Sequence, residues 1–552
     1  MPLFGSLYIG ASGLQTSQNA MNTTAHNMTN VDTKGYTRQQ ILLNTRTYQT
    51  LSVNASAVAY QQYGLGVYYS QTRQVRDMFL DKTYRKESGR SAFYESNVKV
   101  IDEMEDLFGE FQGVEFSESI QNLWKTIQDL DMDPCDMTNQ NLLVSRCNEF
   151  LTRASLVYKG LCEMQDNLNT QIKKNVDKLN DYGRELVQIN QQIMKAEAGN
   201  VENANDLRDR RNFILDEMSK IGKISYEEDI YGAVTVKFEG VDFVRTESIS
   251  EMGVYADPDT GFYTPYWPQL ADYNTMPWGE KVPILESSAV FDTTQEIRSS
   301  LNTDIGSLRA LVYARGNKRA TYQDVAKENI EAYNRDISQS LIMNVQAEFD
   351  QLVNKVVTAI NDVLRQAAES EPDTDYMKAK DENGNVLKDA QGNPIAIQMF
   401  ELISDDPEKG YTIGNMIVNE DLKREPGTLS FRLKDGSEDK ATTARLKAAF
   451  SEESHTLNPN LETKVSLIGY YGNLIDHKSR IIIAKTQIVK FIPDAFYSHR
   501  IHTGSGTPVG RKEPEGICRL LRYLLSAVSV RMGIGNIVGR GVQCRIGRPD
   551  TR

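Results

Sequence analysis

The sequence predicts a mainly α-helical protein with β insertions, an α+β chain whose long helices form a bundle or coiled-coil domain. Apolar residues follow a helical period from Asp77 to Ile221 and again after Ile305. Between these stretches the sequence changes to β-type residues and becomes rich in Pro, Gly, Tyr and Trp. We therefore expect long helices flanking small β-domains, with residues from both ends of 80–475 meeting in one bundle.

The composition is that of an ordinary folded protein. The chain has 552 residues, 40% hydrophobic and 25% charged, which is enough for three or four domains. No apolar run is long enough to predict a transmembrane helix, and the first Lys or Arg is Lys34, so no cleaved signal peptide is expected. The cysteines form no CxxC pair and are expected to be buried free thiols: Cys135, Cys147, Cys162, Cys518 and Cys544.

The N-terminal segment predicts a helix built for self-assembly. Residues 1–31 contain no Asp, Glu, Lys or Arg, and large apolar residues recur in them at intervals of seven. A helix without charge fits surroundings made of copies of itself, where buried charges would be costly. The alternative is a polar, disordered N-terminus. The residues predicted to form the self-assembly surface are Leu7, Gly10, Leu14, Met21, Ala25 and Met28.

After this helix the pattern predicts a turn, two strands and then long helices. The strands are expected at Thr37–Thr47 and Leu65–Val75, and breaks between the helices around Gly109–Gly113 and at Pro134. A later apolar stripe predicts one long helix with a coiled-coil face. Its members are Leu168, Ile172, Val176, Leu179, Leu186, Ile189 and Ile193.

These patterns divide the chain into seven regions. The predicted regions are 1–76, an N-terminal assembly helix and following strands; 77–222, the first part of a long-helix bundle; 223–304, a β-rich insertion; 305–367, a long helix; 368–439, a turn-rich β module; 440–477, a return to the helical domain; and 478–552, a basic tail rich in Gly and Arg.

No motif predicts catalysis. The five histidines lie in no metal-binding or triad-like pattern, and there is no Walker loop or dinucleotide-binding glycine motif. The acidic run 102–106 suggests paired catalytic carboxylates, but apolar residues at Val100, Met104 and Leu107 favour the solvated face of an amphipathic helix. We therefore expect no catalytic, cofactor-binding or metal-binding residues, and no cofactor.

The tail has a different charge from the rest of the chain. Residues 478–552 contain 14 Lys and Arg against 4 Asp and Glu, a net charge of +10, whereas residues 1–477 carry −23. One interpretation is a basic segment that binds an anionic membrane or nucleic acid. The alternative, which we favour, is an aberrant translation in a shifted reading frame, because the basic residues are scattered through glycine-rich sequence without a period.

Several separated motifs in residues 1–475 resemble the bacterial flagellar axial proteins, and among them the hook-associated family. The uncharged helix is followed by Asn30-Val31-Asp32-Thr33-Lys34-Gly35-Tyr36, which is similar to the signature at the end of the family's N-terminal helix. The segment 205–212, NDLRDRRN, is similar to a segment of the hook-associated proteins. The positions that carry these two motifs are Asn30, Thr33, Gly35, Tyr36, Asn205, Asp206, Leu207, Asp209 and Arg210. The tail does not match.

The resemblance implies a structural role without chemistry. It implies a ring or helical assembly of this chain at the junction between hook and filament, next to the hook protein and a second junction protein. It also implies secretion through the flagellar export apparatus with an export chaperone, and neither nucleic-acid binding nor membrane insertion. The alternatives are another axial protein of the rod or hook, and an axial protein that carries a peptidoglycan-active enzyme.

Overall fold

The computed structural model describes residues 3–52, 61–108, 116–199, 203–276, 281–380, 385–389, 392–404, 406 and 409–475. The helices are α1 Leu3–Thr29, α2 Met78–Phe108, α3 Phe116–Met132, α4 Met137–Glu197, α5 Asn205–Ile221, α6 Leu285–Ser288, α7 Ser307–Arg315, α8 Ile330–Ala332, α9 Leu341–Ser370, α10 Glu420–Arg424 and α11 Lys440–Ser451. The strands are β1 Gln39–Thr45, β2 Gln49–Ser52, β3 Gln61–Tyr63, β4 Val67–Gln74, β5 Ile224–Glu228, β6 Val234–Phe238, β7 Val241–Val244, β8 Gly253–Ala256, β9 Tyr263–Tyr266, β10 Tyr273–Thr275, β11 Lys281–Pro283, β12 Phe400–Leu402 and β13 Met416–Val418.

The mainly α-helical fold with β insertions is confirmed. The described strands form small antiparallel sheets: β1 pairs with β4, β2 with β3, β8 with β9, β10 with β11, β12 with β13, and β5, β6 and β7 form one sheet. Within the described part of the chain, no helix is both long and apolar enough to cross a membrane.

The helical domain is organised by α4, which has 61 residues and spans about 90 Å at 1.5 Å per residue. All seven residues of the predicted apolar stripe are buried along it. The helix before it ends at Met132, just ahead of Pro134, and α4 begins where Asp136 accepts a hydrogen bond from Thr138 N at 2.9 Å. The predicted break at Pro134 is therefore present, whereas the one at 109–113 lies outside the described residues.

The two ends of region 80–475 meet in the same core, as the apolar patterns predict. The ring of Phe116, at the start of α3, packs edge-on against Phe349 of α9 and Tyr471, with ring centroids 5.0 and 4.9 Å away. Phe108 also packs against Phe349, at 6.1 Å. Aromatic rings dominate the energetics of such a core because each buries a large apolar area. Residues far apart in the chain therefore close one bundle.

The prediction of one long helix over 305–367 is wrong. The helix α7 ends after nine residues at Arg315. The next residue, Gly316, has a left-handed φ of +79°, and a Cβ atom there would collide with Met343. The chain then runs through short 3-10 and π turns before Ser340 caps the start of α9. Close packing against α9 therefore requires α7 to end here, and the apolar periodicity of the sequence did not predict that end.

The cysteine prediction is confirmed in part. Cys147 and Cys162 are buried free thiols, and burial raises the pKa of both. Cys135 is free but only half-buried. Cys518 and Cys544 lie outside the described residues, as does the whole predicted tail, so both interpretations of the tail stay predictions.

Three asparagines on α4 attach the β-rich insertion to the helical domain. Asn169, Asn180 and Asn190 each donate an amide proton to a backbone carbonyl oxygen of the insertion, at 2.9–3.0 Å. Each also accepts from a backbone N–H with its side-chain oxygen, at 2.6–3.1 Å. Because these polar groups are buried or partly buried, each asparagine satisfies backbone groups that would otherwise lack partners. Asn361 of α9 does the same for the module at residues 399–400.

Candidate assembly surface

The helix α1 exposes the large apolar residues that the sequence predicts for self-assembly. The exposed fractions are 72% for Leu7, 75% for Leu14, 67% for Met21 and 72% for Met28. Gly10 and Ala25 are also exposed, and a Cβ atom at Gly10 would meet nothing within 4 Å. We call these six residues the apolar stripe of α1. A repeated apolar row of this length on a surface marks a site that another element covers.

The opposite, polar side of α1 packs on the hairpin formed by β1 and β4. Ser12 and Thr16 are buried there, and their hydroxyls donate to carbonyl oxygens of their own helix at 2.8 and 2.9 Å. These bonds satisfy the hydroxyls without a partner on the hairpin. Gly66 has a φ of +86°, and a Cβ atom there would collide with Ser12 Oγ. Close contact on the polar side thus holds the apolar stripe outward.

Asn27 fixes the direction of the chain as it leaves α1. Its Nδ2 donates to Gln39 O at 2.9 Å, while its Oδ1 accepts from Gln39 N at 2.9 Å and from the Tyr36 hydroxyl at 2.8 Å. The Tyr36 ring also packs edge-on against His26, with centroids 5.5 Å apart. This one side chain therefore links the end of the helix, the turn and the first strand.

The first motif, residues 30–36, shapes the turn after α1. Asn30 donates from Nδ2 to His26 O at 3.0 Å and accepts from the Thr33 hydroxyl at 3.2 Å, which satisfies groups at the helix end. Gly35 has a φ of +85°, and a Cβ atom there would lie 3.1 Å from Cβ of Phe213 on α5. The conformation and the close approach together explain glycine at this position.

The second motif, residues 205–212, contacts the hairpin of β1 and β4 from the side of α5. Gln74, the last residue of β4, donates from Nε2 to Asp209 Oδ1 at 2.8 Å and to Asn205 O at 2.9 Å. Asn205 donates from Nδ2 to Thr72 O at 3.1 Å, and Asn203 does the same at 3.0 Å. The two motifs therefore support the same hairpin, because one shapes the turn that leads to the hairpin and the other binds the hairpin's last strand.

The remaining residues of the second motif secure α5 itself. Arg208 makes two hydrogen bonds to the Glu197 carboxylate, at 2.7 and 2.8 Å, which is the strong bidentate arrangement. Arg210 pairs with Glu185 at 2.6 Å on the exposed side, and Leu207 packs against the core. Asp206 is exposed. The motif is thus mainly a structural connection between the hairpin and the helical domain.

Burial sets the protonation behaviour around this connection. It raises the pKa of the Asp209 carboxyl, and it also raises the pKa of the Tyr36 hydroxyl, with smaller contributions from the charges of Asp209 and Asp206. Among the residues that the structure describes, no group of three His, Cys, Asp or Glu side chains is placed to hold a metal ion. The arrangement joins the hairpin of β1 and β4 to α5 and leaves the apolar stripe of α1 exposed.

Sequence reasoning selected the two motifs separately and did not join them. It missed Asn27, Thr72, Gln74 and Phe213, each of which contacts one of the motifs or the hairpin next to it. Gln74 carried no signal, because glutamine at the end of a predicted strand is common. Asn27 carried a weak signal in the sequence, since it lies only a few residues before a predicted turn.

Comparison with known protein families identifies two matching regions. Residues 101–376 match the family described as the flagellar hook-associated protein FlgK helical domain, and they make up half of the chain. Residues 7–37, which include the apolar stripe and the first motif, match the family described as flagella basal body rod protein.

Individual relatives agree with the first family. Flagellar hook-associated protein 1 of Bacillus subtilis is 26% identical over 276 residues, which cover 47% of this chain and 54% of that protein. The protein of the same name from Salmonella typhimurium is 26% identical over 215 residues, covering 38% of this chain and 37% of that one. The matched regions thus span about half or less of these relatives.

The flagellar hook junction protein FlgK from Burkholderia pseudomallei has 14% sequence identity and a TM-score of 0.37, over 58% of this chain and 46% of that one.

Proposed function

Because the chain belongs to the family of flagellar hook-associated proteins that is defined by the FlgK helical domain, we propose that it is a structural subunit of the bacterial flagellum that forms the junction between hook and filament. The observation that carries this proposal is the apolar stripe of α1, which is held outward and is uncharged. Copies of the chain would cover the stripe by packing their N-terminal helices side by side, in a ring or helical assembly. The role requires no catalytic chemistry.

The stripe supports self-assembly through both its shape and its lack of charge. Leu7, Leu14, Met21 and Met28 recur every seven residues, which is the spacing of a seam between packed helices. Gly10 and Ala25 lie near this row and would let a neighbouring backbone approach closely. An assembly that buries the row would remove apolar side chains from water in every subunit, and the gain would be repeated around the structure.

The partners follow from the same proposal. The chain would contact its own copies, the hook protein on one side and a second junction protein on the other. It would reach the outside of the cell through the flagellar export apparatus, bound before export by a chaperone. The uncharged N-terminal segment is suited to passing through a narrow channel in an unfolded state.

One observation favours a second candidate, a subunit of the rod or hook. Residues 7–37 match the basal body rod family. That match covers the assembly helix and the turn, whereas the helical domain matches the hook-associated family over a much longer region. An N-terminal segment shared among axial proteins would account for both matches, and the longer match of the helical domain favours the junction subunit.

The test places a charge in the apolar stripe. Leu14→Asp and Met21→Asp should block incorporation into the flagellum and leave the protein folded, because an unpaired charge buried in the assembly costs several kcal/mol. The matched control is Ile230→Asp, at an apolar residue that is 90% exposed but lies in the β-rich insertion. Motility and the amount of subunit in purified flagella are the measurements. Normal incorporation of both stripe variants would contradict the proposal.

A further inference from the structure

The β-rich insertion contains a cavity of about 500 Å³. It lies between the hairpin of β8 and β9, the segment 285–294 and the end of α7. Tyr255, Phe262 and Phe291 contribute aromatic side chains to its wall. This volume is in the range of sites that hold small organic molecules, and aromatic walls with a few polar groups are typical of such sites.

Arg315 lines the cavity and is only 3% exposed. Its Nε donates to Gly316 O at 2.9 Å, and its Nη1 donates to Asn169 Oδ1 at 2.6 Å and to Tyr263 O at 2.7 Å. The guanidinium also lies 4.8 Å from the ring centroid of Phe262. These partners are neutral, so the side chain is held firmly but its charge is not paired.

The remaining nitrogen of Arg315 is available to a ligand. Among the residues that the structure describes, Nη2 has no hydrogen-bond partner and no carboxylate forms an ion pair with Arg315. Burial lowers the pKa of this guanidinium to about 10, so it stays protonated at neutral pH. A buried cation without a counter-charge is costly, and a ligand that accepts a hydrogen bond from Nη2 would reduce that cost.

Three carboxylates also line the cavity. Asp257 accepts from the Thr260 hydroxyl at 2.6 Å, and Asp292 accepts from Thr294 N at 3.0 Å, so both carboxylates are held in position by their own turns. Glu286 adds a third carboxylate, and it is exposed. An anionic ligand would meet these three acids, and a cationic ligand would meet Arg315.

We propose that this cavity binds a neutral saccharide. Sugar hydroxyls both donate and accept hydrogen bonds, so a saccharide in the cavity would donate to the carboxylates of its wall and accept from Nη2 of Arg315. The apolar face of a sugar ring can pack on Phe262 or Phe291. The site is separate from the apolar stripe of α1, and saccharide binding would be a second activity of the subunit, carried by the insertion.

The experiment is saturation-transfer NMR on the full chain with a panel of small ligands. The neutral probes are maltose, lactose and the disaccharide of N-acetylglucosamine, and the charged probes are glucuronate and free arginine. We expect at least one neutral disaccharide to bind with a dissociation constant of about 1 mM or tighter, which is usual for weak small-molecule sites. Binding of charged probes alone, or of none, would overturn the proposal.

Two variants locate the binding. Asp257→Asn should weaken it about tenfold, because a hydrogen bond to a neutral amide oxygen is weaker than one to a carboxylate. Arg315→Lys should weaken it by a similar factor, because lysine has no guanidinium and therefore no Nη2. Asp259→Asn is the matched control, since Asp259 lies in the same turn but does not line the cavity. If Arg315→Lys lowers the melting temperature, its weaker binding has no meaning for the site, and the test rests on Asp257→Asn alone. Equal binding by Asp257→Asn and Asp259→Asn would place the ligand elsewhere and overturn the assignment.

Discussion

Gln74 donates a hydrogen bond of 2.8 Å to Asp209, and this contact joins the strand that leads out of the N-terminal hairpin to the helix α5. The same amide group also donates to Asn205 O at 2.9 Å. Asp209 is buried, so its carboxylate depends on the donors that surround it. The orientation of the hairpin, and with it that of the apolar stripe, rests on a few such contacts.

The first prediction concerns this contact. Gln74→Leu should loosen the docking of the hairpin by about 1–3 kcal/mol, because it removes one of the donors of a buried carboxylate and leaves Thr37 as the other. Hydrogen exchange of the backbone amides in β1 and β4 measures the effect directly. Gln71→Leu is the control, since Gln71 lies on the same strand and has no side-chain hydrogen bond among the described residues. Equal exchange rates in the two variants would show that the contact does not hold the hairpin.

The second prediction concerns the attachment of the β-rich insertion. Asn180 donates to Met252 O and accepts from Met252 N, both at 2.9 Å. Asn180→Leu keeps the approximate volume but leaves both buried backbone groups unsatisfied, which should lower the free energy of unfolding by at least about 2 kcal/mol. Asn167→Leu, at an exposed position of the same helix, should have little effect. Urea unfolding of the two variants provides the comparison, and similar midpoints would contradict the prediction.

The third prediction concerns pH. Asp350 accepts from Tyr322 N at 2.9 Å and from Ile413 N at 2.8 Å, yet burial outweighs these bonds and raises its pKa to about 6. The folded protein therefore binds a proton more tightly than the unfolded chain between about pH 4 and pH 6. The contribution of Asp350 to stability is largest in acid and is lost as the pH rises through this range.

Asp350→Asn removes this titration, so its unfolding free energy should fall less steeply with rising pH than that of the unchanged protein. The difference in slope should approach about 1.4 kcal/mol per pH unit at most, the value for one proton. Urea unfolding at several values between about pH 4.5 and pH 7 measures both slopes. Asp362→Asn, at an exposed carboxylate on the same helix, is the control. Parallel curves for the unchanged protein and Asp350→Asn would refute the assignment.

The sequence predicted the elements with strong periods and missed the contacts between distant segments. The helix α1 and the stripe of α4 follow from spacing alone, because burial on one face imposes it. The contact between the second motif and the hairpin depends on how tertiary packing places Gln74, which no local pattern encodes. The asparagines of α4 did leave a signal, since Asn169, Asn180 and Asn190 each directly follow an apolar residue of the stripe. A polar residue repeated beside a buried stripe indicates a buried hydrogen-bonding role.

The last prediction separates the assembly helix from the folding of the subunit. The main hydrophobic core begins at Val100 and includes no residue of α1, which contacts the hairpin of β1 and β4 instead. Deletion of residues 2–31 should therefore leave the melting temperature of the helical domain within about 2 °C, since its buried apolar area is unchanged. Hydrogen exchange of the backbone amides in β1 and β4 should become faster, because Gln39 loses its two hydrogen bonds to Asn27. In cells the deletion should prevent export and incorporation, and the control is the full chain with Ile230→Asp. A large fall in melting temperature would show that α1 stabilises the subunit itself, and the apolar stripe would then have to be explained by folding rather than by assembly.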